Sequence, residues 1–236
     1  MQKLRFLLIF SSLLLTLAVA IFLLTGNSLH AKAATHKLTP PADGKPIPVA
    51  FALTDGATVI DFTGPWEVFQ DAGGPDGVDD FRLFTVGESK AAVLASGGMT
   101  IVPEYSFDDA PEARVVVIPA QRGAPELADW LRRQDKRADV VMSVCTGAFQ
   151  LGKAGLLDGK PATTHHNFYS QFEQSFPKAN LVRDRRYVQS DDVIYTAGGL
   201  TSGIDLALHI VEQYLGRDAA QRTADYMEYQ GQGWKQ

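Results

Sequence analysis

The stretch DVVMSVCTGAFQLGKAG, residues 139–155, decides the fold. Its opening, VVMSV (140–144), is apolar and rich in β-branched side chains, and reads as a buried strand. TGAFQLGKAG (146–155) follows as a helix with no loop between them. A strand that runs straight into a helix makes a strained turn, and small residues two positions on either side, Ser143 and Gly147, let the backbones approach. This is the layout of a nucleophile elbow, which lifts the central side chain, Cys145, above the carboxyl edge of a sheet. It also sets Cys145 at a helix N-terminus, where free N–H groups and the dipole favour the thiolate. Such positions lower a cysteine pKa from ~8.5 to ~3.5–7.5. The Thr146 N–H would then point at charge forming beside the sulfur. A free cysteine is more often a buried packing residue; the strand–turn–helix setting is what singles this one out.

Outward from the elbow the same alternation recurs. IPVAFALT (47–54) is an apolar run closed by turn residues, and ARVVVIPA (113–120) is apolar on both faces, as a central parallel strand must be. FRLFTVGE (81–88) alternates like a strand, AAVLASGGMTIVPEYS suggests two short strands around Gly97-Gly98, and RYVQSDDVIYTAG two strands joined at Ser190-Asp191-Asp192. Helical spacing appears after Gly64-Pro65, where Pro65 suits a first turn, in APELADWLRRQDKR, in LTSGIDLALHIVEQYLG (200–216) and in AAQRTADYMEYQ. Thr163 to Phe176 holds a polar turn and a short helix. Alternating strands and helices predict an α/β fold with a mostly parallel sheet covered on both faces. Ligands in such sheets sit beyond the carboxyl ends of the strands.

Composition narrows the function. With 45% hydrophobic and 21% charged residues the chain is ordinary globular material. A net charge of -5 argues against a basic nucleic-acid-binding face. One cysteine excludes an intramolecular disulfide and a cysteine-cluster zinc site.

Lys3 and Arg5 precede the uncharged run 6–24, FLLIFSSLLLTLAVAIFLL, which as a helix covers roughly 28 Å of a ~30 Å hydrocarbon core. Ala31 and Ala33 follow with the spacing of a cleavage site. Residues 1–34 therefore predict an export signal or an N-terminal membrane anchor, with the rest of the chain outside the cytoplasm. A polar, Pro-containing linker (35–46), a folded domain (47–228) and a tail (229–236) complete the expected organisation.

IDFTGPWEVF (60–69), SVCTGAFQLGKAGLLDGKPATTHH (143–166) and YTAGGLTSGIDLALHIVEQYLG (195–216) together resemble the ThiJ/PfpI family of the class I glutamine amidotransferase-like superfamily. The likeness covers about residues 47–228 and is nearest to the branch of isonitrile hydratases and of the amidase-like domains of AraC-type regulators. It implies a flavodoxin-like three-layer sandwich, often dimeric, with no metal or organic cofactor. Cys145 matches the family's elbow cysteine, and Asp61 matches an acidic residue before T-G-P that works with it. A carboxyl at a strand's carboxyl rim beside a thiolate should have a raised pKa and act as a proton donor; Asp61 reads equally as a helix cap. Glu67 is a weaker second acid that fits an exposed helical position. His165, with His166 behind it, is a candidate pocket residue. The proteases of the family have a histidine directly after the nucleophile, where this chain has Thr146. Ala120 and Gln121 stand where relatives usually have glycines whose N–H groups complete an oxyanion hole. Asp205 reads as structural, Thr201 or Ser202 as a helix cap, and the aromatics from Phe168 to Phe176 as core.

Two functions remain open at this level. One is hydration of an isonitrile, a small-molecule substrate, to an N-substituted formamide, with Cys145 as nucleophile and Asp61 as acid. The other is a non-catalytic, exported small-molecule-binding domain. A peptidase or deglycase lacks the expected Cys–His pair.

Overall fold

The computed structural model describes residues 38–72 and 80–236. In chain order its strands are β1 (Ile47–Ala52), β2 (Phe81–Gly87), β3 (Val93–Leu94), β4 (Thr100–Ile101), β5 (Tyr105–Ser106), β6 (Val115–Ile118), β7 (Val140–Ser143), β8 (Pro161–Ala162), β9 (Asn180–Leu181), β10 (Tyr187–Gln189) and β11 (Ile194–Ala197). The α-helices are α1 (Val59–Gln70), α2 (Pro125–Gln134), α3 (Ala148–Lys153), α4 (Tyr169–Ser175), α5 (Ser202–Leu215) and α6 (Arg217–Tyr226).

Seven strands form the central sheet in the order β10-β11-β7-β6-β1-β2-β5. All neighbours are parallel except β10 and β11. Every residue of β6 and β7 is buried, as their unbroken apolar runs require when both faces are covered. Alternation along β1 divides the core. Val49 and Phe51 join α1 and α5 on one face, while Ala50 and Ala52 join Leu127 and Trp130 of α2, Leu151 of α3 and Phe172 of α4 on the other. The result is the expected three-layer α/β sandwich. From β1 the chain runs outward to β2 and β5, then returns to β6 on the opposite side of β1. The carboxyl ends of β1 and β6 thus flank a topological switch point.

Helix α1 departs from the expectation. It begins at Val59 rather than at Pro65, which lies in its middle. Pro65 has no N–H to offer the carbonyl four residues back, that of Asp61. The helix persists because tertiary packing outweighs this loss: a Cβ on Gly203 of α5 would stand 3.2 Å from Pro65 Cγ and 3.0 Å from Val144, and one on Gly64 3.0 Å from Ile204. The T-G-P and S-G-I tripeptides are therefore the two sides of one close helix crossing.

The residues read as linker and tail both contribute to the core. Leu38 is buried, and at the other end Trp234 is fully buried, with its carbonyl accepting the Tyr187 hydroxyl at 3.3 Å.

The expectation of an exported or membrane-anchored chain is corrected here. Among the described residues no helix is long and apolar enough to cross a membrane. The fourteen residues of α5 extend about 21 Å, short of the ~30 Å hydrocarbon core. The run 6–24, on which that expectation rested, lies outside the described residues.

Candidate active site

β7 ends at Ser143, and Cys145 adopts φ 59, a left-handed conformation unusual for a residue with a side chain. Three segments hold it there. The Val144 N–H donates to the Ile118 carbonyl at 2.9 Å, and the Cys145 N–H donates to the Gly198 carbonyl at 2.8 Å. The Cys145 carbonyl accepts the buried Thr164 hydroxyl at 2.9 Å. Gly147 is obligatory, since a Cβ would stand 2.2 Å from the Ile118 oxygen. The turn sets the sulfur beside the N–H groups of Thr146 and Leu200 and the Thr146 side chain. Cys145 is only 6% exposed.

Asp61, in the first turn of α1, is fully buried. Its Oδ2 accepts the Ala120 N–H at 3.1 Å, while Oδ1 is buried without a partner among the described residues. Burial pushes this carboxyl up to about 7, against the opposing pull of the Ala120 N–H and of the Cys145 thiol, which donates to it. The thiol is pushed up to about 11, first by burial and then by the Asp61 charge; the Thr146 and Leu200 N–H groups pull it down less strongly. The expected pre-formed thiolate is therefore not the resting state. Removal from water outweighs the helix terminus. At neutral pH the thiol keeps its proton, and the Asp61 carboxyl beside it titrates in the neutral range.

The remaining sequence candidates divide. Thr146 stands beside the sulfur, as expected. The Ala120 N–H is taken by Asp61 and so is not a free oxyanion donor. Gln121 turns inward: its Oε1 accepts the Thr54 N–H and hydroxyl, and its Nε2 donates to the Ala52 carbonyl. It thus closes the carboxyl end of β1. His165 stacks on His166 with centroids 4.5 Å apart, accepts the Asn167 N–H at Nδ1 and packs against Gly199. Burial, then its histidine neighbour, lowers its pKa. Glu67 is exposed on α1, and Asp205 pairs with Arg186 at 2.5 Å. Among the described residues no three His, Cys, Asp or Glu side chains gather to hold a metal.

Two clefts flank the elbow. One, of about 430 Å³, is lined by Thr164, His165, Tyr169, Gly199 and Leu200 among others. The smaller, of about 180 Å³, is lined by Gln121, Thr146, Phe149 and Phe168. Phe168 is 38% exposed and borders this second cleft instead of lying in the core as expected. Thr164 and Leu200 escaped sequence reasoning as contacts of the cysteine. The T-T-H and G-G-L tripeptides were the available signals, but neither says which residue turns toward Cys145.

Comparison with known proteins fits this geometry. The model of the DJ-1/PfpI family matches residues 48–213. The chain is 32% identical over 187 residues to an isonitrile hydratase from Pseudomonas putida, covering 77% of this chain and 78% of that protein. It is 26% identical to the HTH-type transcriptional regulator GbdR of Pseudomonas aeruginosa, covering 81% of this chain but 53% of the regulator, about half its length. A crystal structure of a ThiJ/PfpI family protein from Pseudomonas syringae superposes with a TM-score of 0.70 at 26% identity, covering 86% of this chain and 85% of that one.

Proposed function

Since the chain belongs to the DJ-1/PfpI family, we propose that it is a cysteine-dependent hydratase that converts a small isonitrile to an N-substituted formamide. The observation that carries this reading is the pairing of a buried Asp61, poised near neutral pH, with a thiol that donates to it. An isonitrile carbon must gain both a nucleophile and a proton, and one acid–thiol pair supplies the two. As the sulfur bonds to the terminal carbon, the thiol proton passes to ionised Asp61. Asp61 then returns it to the same carbon, giving the thioimidate S–CH=N–R. Water adds to that carbon, the C–S bond breaks, the sulfur regains a proton, and R–NH–CHO leaves. The net change is R–NC plus water to R–NH–CHO.

Sulfur addition to an isonitrile builds no oxyanion. That suits a site whose Ala120 N–H is already engaged by Asp61. The larger cleft supports seating of the N-substituent, because its lining residues Thr164, Gly198 and Leu200 all touch Cys145.

The low exposure of Cys145 and the likeness to GbdR favour a second reading, a domain that binds a small molecule without transforming it. Incubating the purified protein with alkyl and aryl isonitriles and following formamide by mass spectrometry separates the two. We expect product from the wild type and none from a folded Cys145→Ala variant. Turnover by that variant removes the mechanism. Thermal stabilisation by a ligand with no product establishes binding instead.

A further inference from the structure

We propose that Thr164 is the positioning residue of the elbow, holding the Cys145 carbonyl so that the sulfur stays aligned between Asp61 and the N–H groups of Thr146 and Leu200. The inference goes beyond the hydratase reading in naming a new residue, and rests on it for the catalytic consequence alone. Thr164 is fully buried, and its hydroxyl donates to the Cys145 carbonyl at 2.9 Å across nineteen residues of sequence. Thr163, beside it, is fixed in turn: its N–H donates to the Thr196 hydroxyl of β11 at 2.8 Å. A rigid sheet strand thus backs the strap that grips the elbow.

The grip has something to resist. Cys145 sits at φ 59, a conformation that persists only when its surroundings over-determine it. Of the peptide groups bounding Cys145, the N–H is held by Gly198 and the carbonyl by Thr164. Releasing the carbonyl frees the Cys145–Thr146 peptide to rotate. That turns the Thr146 N–H from the sulfur and lets the left-handed backbone that aims the thiol at Asp61 relax. Thr164 also lines the larger cleft, so the strap joins the wall of that cleft to the nucleophile.

The test uses Thr164→Val, which keeps the side-chain shape and removes the donor, with Thr164→Ala as a second deletion and Thr164→Ser restoring the hydroxyl. The first readout is the pH profile of Cys145 alkylation by iodoacetamide, which needs no isonitrile chemistry. In the wild type the rate follows a thiol held far above its free value. In the Val variant the thiol moves out of its buried setting, its profile shifts toward that of an ordinary cysteine near ~8.5, and labelling at neutral pH becomes faster. The second readout is formamide production. Its kcat falls at least ~10-fold with KM little changed, as expected for a group acting on the transition state, and the Ser variant recovers both properties. A Val variant with a wild-type alkylation profile overturns the proposal. So does failure of Val and Ala to fold while Ser folds, which would make Thr164 a folding residue. Absence of formamide from the wild type itself defeats the hydratase reading but leaves the alkylation comparison decisive.

Discussion

Asp61 reaches from α1 to the backbone of Ala120, its Oδ2 accepting that N–H at 3.1 Å while its other oxygen is buried without a partner among the described residues. Asn at position 61 can keep the first contact through its amide oxygen but cannot carry a proton. We expect Asp61→Asn to fold and to lose formamide production by at least ~100-fold, the usual scale of a lost acid–base group. The Cys145 thiol should titrate lower in this variant, since the Asp61 charge helps to raise it. Retained turnover, measured by formamide release, would remove Asp61 from the chemistry.

The pH dependence of the wild-type rate follows from the same pair. In the proposed reaction Asp61 accepts the thiol proton only when ionised, and burial pushes its carboxyl up to about 7. From about pH 5 upward kcat/KM should rise close to tenfold per unit, then level above about pH 7. Initial rates across this range check it, and a flat profile contradicts it.

Stability should respond to two buried groups with opposite signs. Asp61 has a folded pKa above its unfolded value of 3.8, so its burial costs nothing extra below that value and destabilises progressively as pH rises to about 7. The full cost is on the order of 4 kcal/mol. His209, stacked on Tyr187 at 4.8 Å, is lowered by burial to about 4 from 6.5. Its contribution is intact above 6.5 and is lost as pH falls toward 4, about 3 kcal/mol in all. Urea midpoints should therefore show Asp61→Asn stabilising chiefly near pH 8. His209→Phe should do so chiefly near pH 4.

Gly147→Ala should abolish the elbow, because the added methyl carbon meets the Ile118 oxygen at 2.2 Å and backbone must move. We expect destabilisation of at least ~3 kcal/mol by denaturant titration, in the range of severe overpacking, together with loss of turnover.

Trp234→Ala should cost about 3–5 kcal/mol, the range for truncating a buried large aromatic. On this ground we propose that the folded domain extends through the C-terminal residues. A denaturation midpoint unchanged by the substitution would exclude them from it.

Much of this was legible in the sequence, and the failures have physical reasons. The elbow could be read because its requirement is local: Cys145 needs small neighbours two positions away. The parallel sheet could be read because β6 and β7 are apolar on both faces. The start of α1 could not, since Pro65 breaks helices by local rules and is retained only by packing against Gly203. The thiol's charge state was misjudged for the same reason. Its position at a helix start is visible in sequence, whereas the burial and the Asp61 carboxylate that outweigh it come from tertiary folding. Thr164 was hidden because the T-T-H tripeptide does not reveal which hydroxyl turns toward Cys145. The Ala120 N–H was expected to face the substrate, but that amide had already found an acid.

Cys145 is only 6% exposed and is flanked by two clefts, which gives the proposed reaction a consequence for selectivity. Such a recess should sort visitors by cross-section before any affinity acts. It should admit end-on a slender rod with its reactive atom at the tip, and should hold back a branched carbonyl centre that arrives broadside.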